Sequence, residues 1–224
     1  MSDSKPSVTL YSAPTPNGFC ASIIFEELKA IYPSISYTPV KVNMSQNEQK
    51  EPWFLKLNPN GRIPVIVDHT NCDLPIFESS AIALYMVQKY DKDFHLWFDP
   101  SSDPTSYGQM LQWTFFTHGG VGPMTGQLAH FVRYATEDIP YAKTRYLDET
   151  KRLYGVLETG LQNRDFLAGP GRGKYSVADI KTFTWVGVHE RVGIESLGEF
   201  PNLKAYLQRC RARDAVQAGY KLLQ

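Results

Sequence analysis

The chain has 224 residues, of which 42% are hydrophobic, and its 23 basic and 23 acidic residues leave no net charge. These values predict one large or two small globular domains, and the lack of a basic excess argues against nucleic-acid binding. No apolar run approaches the roughly 20 residues of a membrane-spanning helix, and the opening MSDSKPS lacks the apolar core of a signal peptide, so we expect neither a membrane anchor nor export.

The first part of the chain alternates between strand-like and helix-like segments. In chain order we predict a strand at 8–11, a helix to about 31, a strand at 35–42, a helix near 46–57, strands at 63–68 and 74–77, and a helix at 78–90. The turn APTPNG joins the first strand to the first helix, and its two prolines interrupt regular structure there. This order predicts an α/β domain with a small mixed sheet covered by helices.

The second part of the chain predicts helices only. From Tyr107 onward strand patterns disappear and apolar residues recur at helical spacing, with interruptions at prolines and glycines. SVADI fits a capping box in which Ser176 caps a helix and Asp179 bonds back to the cap. We therefore divide the chain into an α/β domain over residues 1–92, a linker over 93–104 and an all-α domain over 105–224.

Several catalytic and metal-binding patterns are missing. The stretch AGPGRGKYS differs from a phosphate-binding loop at Ala168, where glycine is needed, and at Tyr175, where Ser or Thr is needed. The five histidines show no close metal-ligand spacing, so we expect no metal, and there is no G-x-S-x-G motif of a serine hydrolase. Three widely spaced cysteines, Cys20, Cys72 and Cys210, predict reduced thiols and a cytoplasmic location.

The segment HGGVGPMTGQ, residues 118–127, places four glycines where the pattern otherwise predicts helix. Each glycine costs a helix interior about 1 kcal/mol relative to alanine. Close approach of another helix or of a ligand offsets such a cost, and we favour helix packing because glycine brings no reactive group.

Three motifs carry a resemblance to a known family: APTPNG, NGRIPV at residues 60–65, and FESSAI at residues 77–82. Together with the predicted order of elements, they resemble the cytosolic glutathione transferase family over essentially the whole chain. The resemblance is strongest to the bacterial nu class and to fungal relatives that include a yeast prion protein regulating nitrogen use. It implies a thioredoxin-like N-terminal domain that binds glutathione, a helical C-terminal domain and a homodimer.

The resemblance also implies how glutathione is held. Glu78 would pair with the γ-glutamyl ammonium, and Ser79, with the amides of its helix N-terminus, would bind the γ-glutamyl carboxylate. Pro64 would be cis and leave the Ile63 backbone to pair with the cysteinyl backbone. Gln49 matches a position that contacts the glycyl end; taken alone, it would be a solvated helix residue. Taken alone, Glu78 would only favour a helix N-terminus.

In the family, the turn after the first strand faces the glutathione sulfur. Thr15 and Asn17 are the candidates here, because a hydroxyl and an amide N–H at a positive helix end stabilise a thiolate. Asn17 alone would be interpreted as a helix N-cap. Tyr11 and Cys20 are rivals for the sulfur chemistry, although the first lies in a strand where aromatic packing is common and the second behaves mainly as a small hydrophobe inside the helix.

The expected function is that of a glutathione-dependent enzyme with disulfide reductase activity and some transferase activity towards electrophiles, as in detoxification. Its partners would be glutathione as co-substrate, a disulfide or an electrophilic small molecule, and a second copy of the chain. The alternative is a glutathione-binding regulator with little turnover, because fold alone does not decide activity.

Overall fold

The computed structural model describes residues 6–223, so most of the MSDSKPS segment lies outside the described residues. The chain divides into two units. The first extends to Asp93 and also includes the segment from Arg213 onward, and the second spans Phe94–Ala212. No helix within residues 6–223 combines the length and the apolar character needed to cross a membrane.

The first unit is built on a four-stranded mixed sheet, whose strands are β1 (Val8–Ser12), β2 (Tyr37–Lys41), β3 (Val65–Asp68) and β4 (Leu74–Phe77). The strands lie in the order β2-β1-β3-β4, with β1 parallel to β2 and antiparallel to β3. Its helices are α1 (Pro16–Ile31), α2 (Pro52–Leu57) and α3 (Ser79–Tyr90), with α9 (Asp214–Leu222) from the end of the chain. The predicted α/β architecture is confirmed.

The register of the sheet brings four chain segments to one edge. Tyr11 near the end of β1 pairs with Val65 at the start of β3, and Val65 pairs with Phe77 at the end of β4. On the other side of β1, Ser12 pairs with Lys41 at the end of β2. The segments that follow β1, β2 and β4 and the segment that precedes β3 therefore meet at this edge.

The predicted helix at 46–57 is interrupted. It consists of two 3-10 turns, Met44–Gln46 and Glu48–Lys50, followed by the short α2. Asn47, between the turns, has the left-handed conformation with φ of 56°, which an α-helix does not accommodate. Pro52 then opens α2 at a position where no backbone N–H is needed.

The last helix, α9, packs against α1 in the first unit. Ser22 Oγ in α1 donates to the carbonyl of Gly219 at 2.8 Å, and both groups are buried. Arg213, just before α9, forms two hydrogen bonds of 2.6 and 2.7 Å with the buried carboxylate of Glu27. Helical periodicity does not reveal which unit a helix packs on, so residues 213–223 were expected in the all-α domain, whereas they belong to the first unit.

The second unit is helical among its described residues. Its α-helices are α4 (Pro104–Phe116), α5 (Gly122–Ala129), α6 (Pro140–Gly160), α7 (Val177–Val186) and α8 (Pro201–Arg211). Its other helical segments are the π-helical Thr117–Val121 and His130–Tyr134 and the 3-10 turn His189–Val192. The predicted capping box of Ser176 and Asp179 is present at the start of α7.

The segment that the sequence analysis interpreted as a linker contributes to the core of this unit. Leu96, Trp97 and Phe98 are buried, and the carbonyl of Leu96 accepts a hydrogen bond of 2.9 Å from the backbone of Val177. Prolines and acidic residues around these three apolar side chains explain the linker-like composition. Lys174 of the glycine-rich loop donates hydrogen bonds to backbone carbonyls of this segment. The loop therefore helps to hold the segment in place.

Two of the four glycines of HGGVGPMTGQ pack against another helix, as expected, whereas a Cβ on Gly119 would meet no atom within 4 Å. A Cβ on Gly122 would lie 3.1 Å from the indole of Trp185, and one on Gly126 would lie 3.6 Å from the same ring. Neighbouring residues Thr117–Val121 form a π-helical turn rather than continuous α-helix. Gly122 and Gly126 thus admit the Trp185 side chain against the helix surface.

Candidate functional site

The turn between β1 and α1 forms one part of the site. Thr15 is the N-cap of α1, and its Oγ1 accepts a hydrogen bond of 3.1 Å from the N–H of Gly18. Interpreting Asn17 as the cap was therefore wrong, because the helix begins at Pro16 and Asn17 lies inside its first turn. The hydroxyl proton of Thr15 is not used in this capping bond and can donate to a ligand.

Gly18 makes this tight turn possible, although the sequence analysis did not single it out. A Cβ at this position would lie 1.9 Å from the carbonyl oxygen of Ala13 and 2.8 Å from Ser12 Oγ. Only glycine fits so close to the backbone. The glycine that ends the APTPNG motif could have indicated this position from the sequence.

The start of α3 forms the second part of the site and contacts the first. Ser79 is 2% exposed, and its Oγ donates a hydrogen bond of 3.1 Å to Oδ1 of Asn17. Glu78, just before the helix, has a positive φ of 70° that sets the direction in which the chain enters α3. The structure thus brings together Asn17 of the APTPNG motif and Ser79 of the FESSAI motif.

The segment before β3 lies at the same edge of the sheet. The Ile63–Pro64 peptide bond is cis, as the resemblance implies. Ile63 belongs to a buried apolar cluster with four other core residues, Ala13, Val42, Phe54 and Val65. A groove of about 480 Å³ opens beside the cluster, and it is lined by Ala13, Pro14, Lys41, Val42, Asn43 and Met44.

Gln49 lies in the second of the two 3-10 turns before α2. Within residues 6–223 its side chain bonds only to Asn47, through an Nε2 to Oδ1 contact of 3.3 Å, and its Oε1 has no partner. The side chain is buried, so its interpretation as a solvated helix residue was wrong. An amide oxygen buried without a partner is costly unless a ligand or water supplies a donor.

The two rivals for the sulfur chemistry occupy packed positions. Tyr11 has a ring contact of 5.6 Å between centroids with Trp53, and it packs against the apolar cluster that contains Ile63. Cys20 is fully buried in α1 and its thiol is reduced. A thiolate nucleophile needs access to its substrate, so burial argues against Cys20 in this role.

A network of charges lies at the opposite end of β3. The buried carboxylate of Asp68 is bound by Lys89, by the hydroxyl of Tyr85 at 2.5 Å and by Thr70. Burial alone would raise the pKa of Asp68, but the hydrogen bonds outweigh it and lower the pKa to about 2. No group of three or more potential metal-ligating side chains occurs within residues 6–223.

Comparisons with known proteins connect this geometry to a family. Models of the glutathione S-transferase N-terminal and C-terminal domains match residues 6–88 and 126–214. The disulfide-bond oxidoreductase YfcG of Escherichia coli strain K12 is 39% identical over 213 residues, which cover 93% of this chain and 92% of YfcG.

Two solved structures resemble the whole chain. A glutathione transferase homologue from Lodderomyces elongisporus, crystallised with two glutathione molecules per subunit, has a TM-score of 0.89 at 35% identity, covering 99% of this chain and 100% of that chain. The nitrogen-regulation fragment of the yeast prion protein Ure2p has a TM-score of 0.86 at 31% identity, covering 99% of this chain and 99% of that chain.

Proposed function

Because the chain belongs to the glutathione S-transferase family, we propose that it binds glutathione and uses the bound thiolate to reduce disulfides, with a lower activity towards electrophilic carbon. The hydrogen bond between Asn17 and Ser79 carries the proposal. It joins the start of α1, which is expected to face the glutathione sulfur, to the start of α3, which is expected to face the γ-glutamyl group. Disulfide reduction is favoured by the similarity to YfcG, which is named for oxidoreductase chemistry.

Glutathione would lie along the edge where β1 ends and β3 begins. The carboxylate of Glu78 pairs with the γ-glutamyl ammonium, and the N–H groups in the first turn of α3, beginning with Ser79, bind the γ-glutamyl carboxylate. The backbone of Ile63, ahead of Pro64, pairs with the cysteinyl residue. Gln49 binds the glycyl end, which supplies a polar partner for its buried amide.

The sulfur of glutathione would lie before the first turn of α1. There Thr15 offers its hydroxyl proton and Asn17 offers an amide N–H, and both donors favour the ionised thiol. The positive end of the helix macrodipole acts in the same direction. Together they lower the pKa of the glutathione thiol from its free value of about 8.5, so that more thiolate is present at neutral pH.

The reaction uses two glutathione molecules and no cysteine of the protein. The bound thiolate attacks one sulfur of a disulfide, so a mixed disulfide forms and the other half leaves as a thiolate that takes up a proton. A second glutathione attacks the mixed disulfide, which gives oxidised glutathione and releases the remaining thiol. Two electrons pass from the two glutathione molecules to the disulfide.

Further proposals concern the oligomeric state, location and metal requirement of the protein. We infer a homodimer, a cytoplasmic location and no need for a metal. The domain division at residues 93–104 and a role in detoxification also stay proposals. A regulatory function with little turnover is the second candidate, and the similarity to the nitrogen-regulation fragment of Ure2p favours it.

A turnover assay separates the two functions. The purified protein is given glutathione with either hydroxyethyl disulfide or a chlorinated nitroaromatic, and we expect faster turnover of the disulfide. Cys20→Ser should keep most of this rate, whereas Asn17→Ala should lose about 10²-fold, as on removal of an oxyanion-type donor. Glutathione binding without turnover of either substrate would favour the regulator. Loss of activity in Cys20→Ser with normal activity in Asn17→Ala would point to a protein thiol as nucleophile.

A further inference from the structure

Three hydroxyl groups of the second unit are buried without a hydrogen-bond partner. Thr125 lies on α5, Thr150 and Tyr154 lie on α6, and all three side chains are fully buried. None of the three hydroxyl oxygens has a partner among the described residues. A buried hydroxyl without a hydrogen bond has lost its contacts with water and gained nothing in return, which destabilises the fold.

The packing of α5 on α6 brings the two threonines to the same level. A Cβ on Gly120 would lie 3.4 Å from the side chain of Leu153, and Met124 and Glu149 line one groove. Residue numbers therefore rise along one helix as they fall along the other, so the two helices run antiparallel. Each threonine directly follows one of the two groove residues in the chain, so the threonines lie side by side across the helix pair.

Tyr154 completes the cluster. It lies four residues after Thr150 on α6, and residues four apart share one face of a helix. Burial raises the pKa of the Tyr154 hydroxyl, and the nearby hydroxyl of Thr125 opposes this rise. The tyrosine hydroxyl is thus close to α5 as well as to α6, although it makes no direct hydrogen bond to either threonine.

Other buried threonines of this unit satisfy their hydroxyls on their own helix. Thr114 and Thr184 each donate to the carbonyl of the residue four positions earlier, at 2.7 and 3.1 Å. Thr125 and Thr150 do not use this partner. Valine in place of threonine and phenylalanine in place of tyrosine would fill nearly the same space with no polar atom. Hydroxyls at all three positions therefore indicate a polar occupant between the helices.

We propose that Thr125, Thr150 and Tyr154 bind one ordered water molecule between α5 and α6. Water donates and accepts hydrogen bonds, and so does each of the three hydroxyls. Internal waters typically make about three hydrogen bonds to buried polar groups that otherwise have no partner, which is the number available here. The water bridges the two helices and is independent of the proposed function, because no residue of the cluster is a predicted glutathione ligand.

A crystal structure of the unmodified protein, at a resolution that shows single water molecules, tests the site directly. We expect one density peak about 2.5–3.0 Å from each of the three hydroxyl oxygens. Absence of this peak would overturn the proposal. So would rotated threonine side chains that donate to carbonyls of their own helices, since these bonds would satisfy the hydroxyls without water.

Denaturant unfolding of Thr150→Val tests the site in solution, because valine keeps the shape and removes the hydroxyl. If the hydroxyl binds water, its loss should raise the equilibrium constant for unfolding about fivefold, as for one lost hydrogen bond. If the hydroxyl has no partner, its removal should leave this constant unchanged or lower it. That second result would contradict the site. If Thr150→Val does not fold, Tyr154→Phe makes the same comparison.

A double-mutant cycle tests whether one water joins the two helices. Thr125→Val should cost less in the Thr150→Val background than in the unmodified protein, because the water has already lost a partner there. Thr184→Val is the matched control, since Thr184 is buried and its hydroxyl bonds within its own helix. Its cost should add fully to that of Thr125→Val. Equal additivity in both cycles would show that Thr125 and Thr150 share no water.

Discussion

Replacement of Gly18 by alanine tests the geometry of the turn before α1. The added Cβ would lie 1.9 Å from the carbonyl oxygen of Ala13, where an ordinary contact begins at 3.4 Å. The backbone must therefore move by about 1.5 Å, since no side-chain rotation can relieve a clash with a backbone atom. Overpacking of this kind costs about 1–3 kcal/mol, and a backbone clash belongs at the upper end. We expect the free energy of unfolding to fall by about 3 kcal/mol.

Denaturant unfolding measures this loss, and Gly155→Ala provides a matched control. Gly155 lies inside α6, and a Cβ there would meet no atom within 4 Å. The same substitution should therefore stabilise the protein by about 0.5–1 kcal/mol, because alanine favours a helix interior. Equal stability of Gly18→Ala and the unmodified protein would refute the steric reasoning and the tight turn on which the position of Thr15 depends.

Two further predictions concern charges of the first unit. Asp68→Asn should lower the free energy of unfolding by about 1–2 kcal/mol at pH 7; because folding lowers the pKa of Asp68 to about 2, this difference should disappear as the pH falls from about 4 to 2. A difference that persists at pH 2 would show that packing, and not charge, is responsible. Glu78→Ala should weaken glutathione binding by about 1.5–3 kcal/mol in calorimetry, through the lost pairing with the γ-glutamyl ammonium. Unchanged affinity would contradict that pairing.

The features that sequence predicted well depend on neighbouring residues. The bounds of β4 at Leu74–Phe77 and the capping box of Ser176 follow from local patterns, and both are confirmed. The fold class is confirmed as well, since alternation of strands and helices determines it. The start of β3 at Val65 was placed two residues too early, because Pro64 lacks the N–H that strand pairing requires.

The features that sequence did not predict depend on contacts distant along the chain. Asn17 and Ser79 are separated by 62 positions, and no pattern around either residue predicts the hydrogen bond between them. Gln49 is buried in a 3-10 turn that follows the left-handed Asn47, whereas the sequence pattern predicted a continuous helix there. The motifs therefore identified candidate residues, whereas the structure was needed to show which of them touch.

The packing of α9 on α1 makes the first unit discontinuous along the chain, and this affects the order in which the protein is made. A ribosome delivers α1 long before α9, since all of Phe94–Ala212 must be synthesised between them. Until then the carbonyl partner of Ser22 and the arginine partner of Glu27 do not exist. A nascent chain that stalls before Arg213 exposes a buried carboxylate and an apolar helix face to water, so the helix that carries Thr15 and Asn17 completes its packing last.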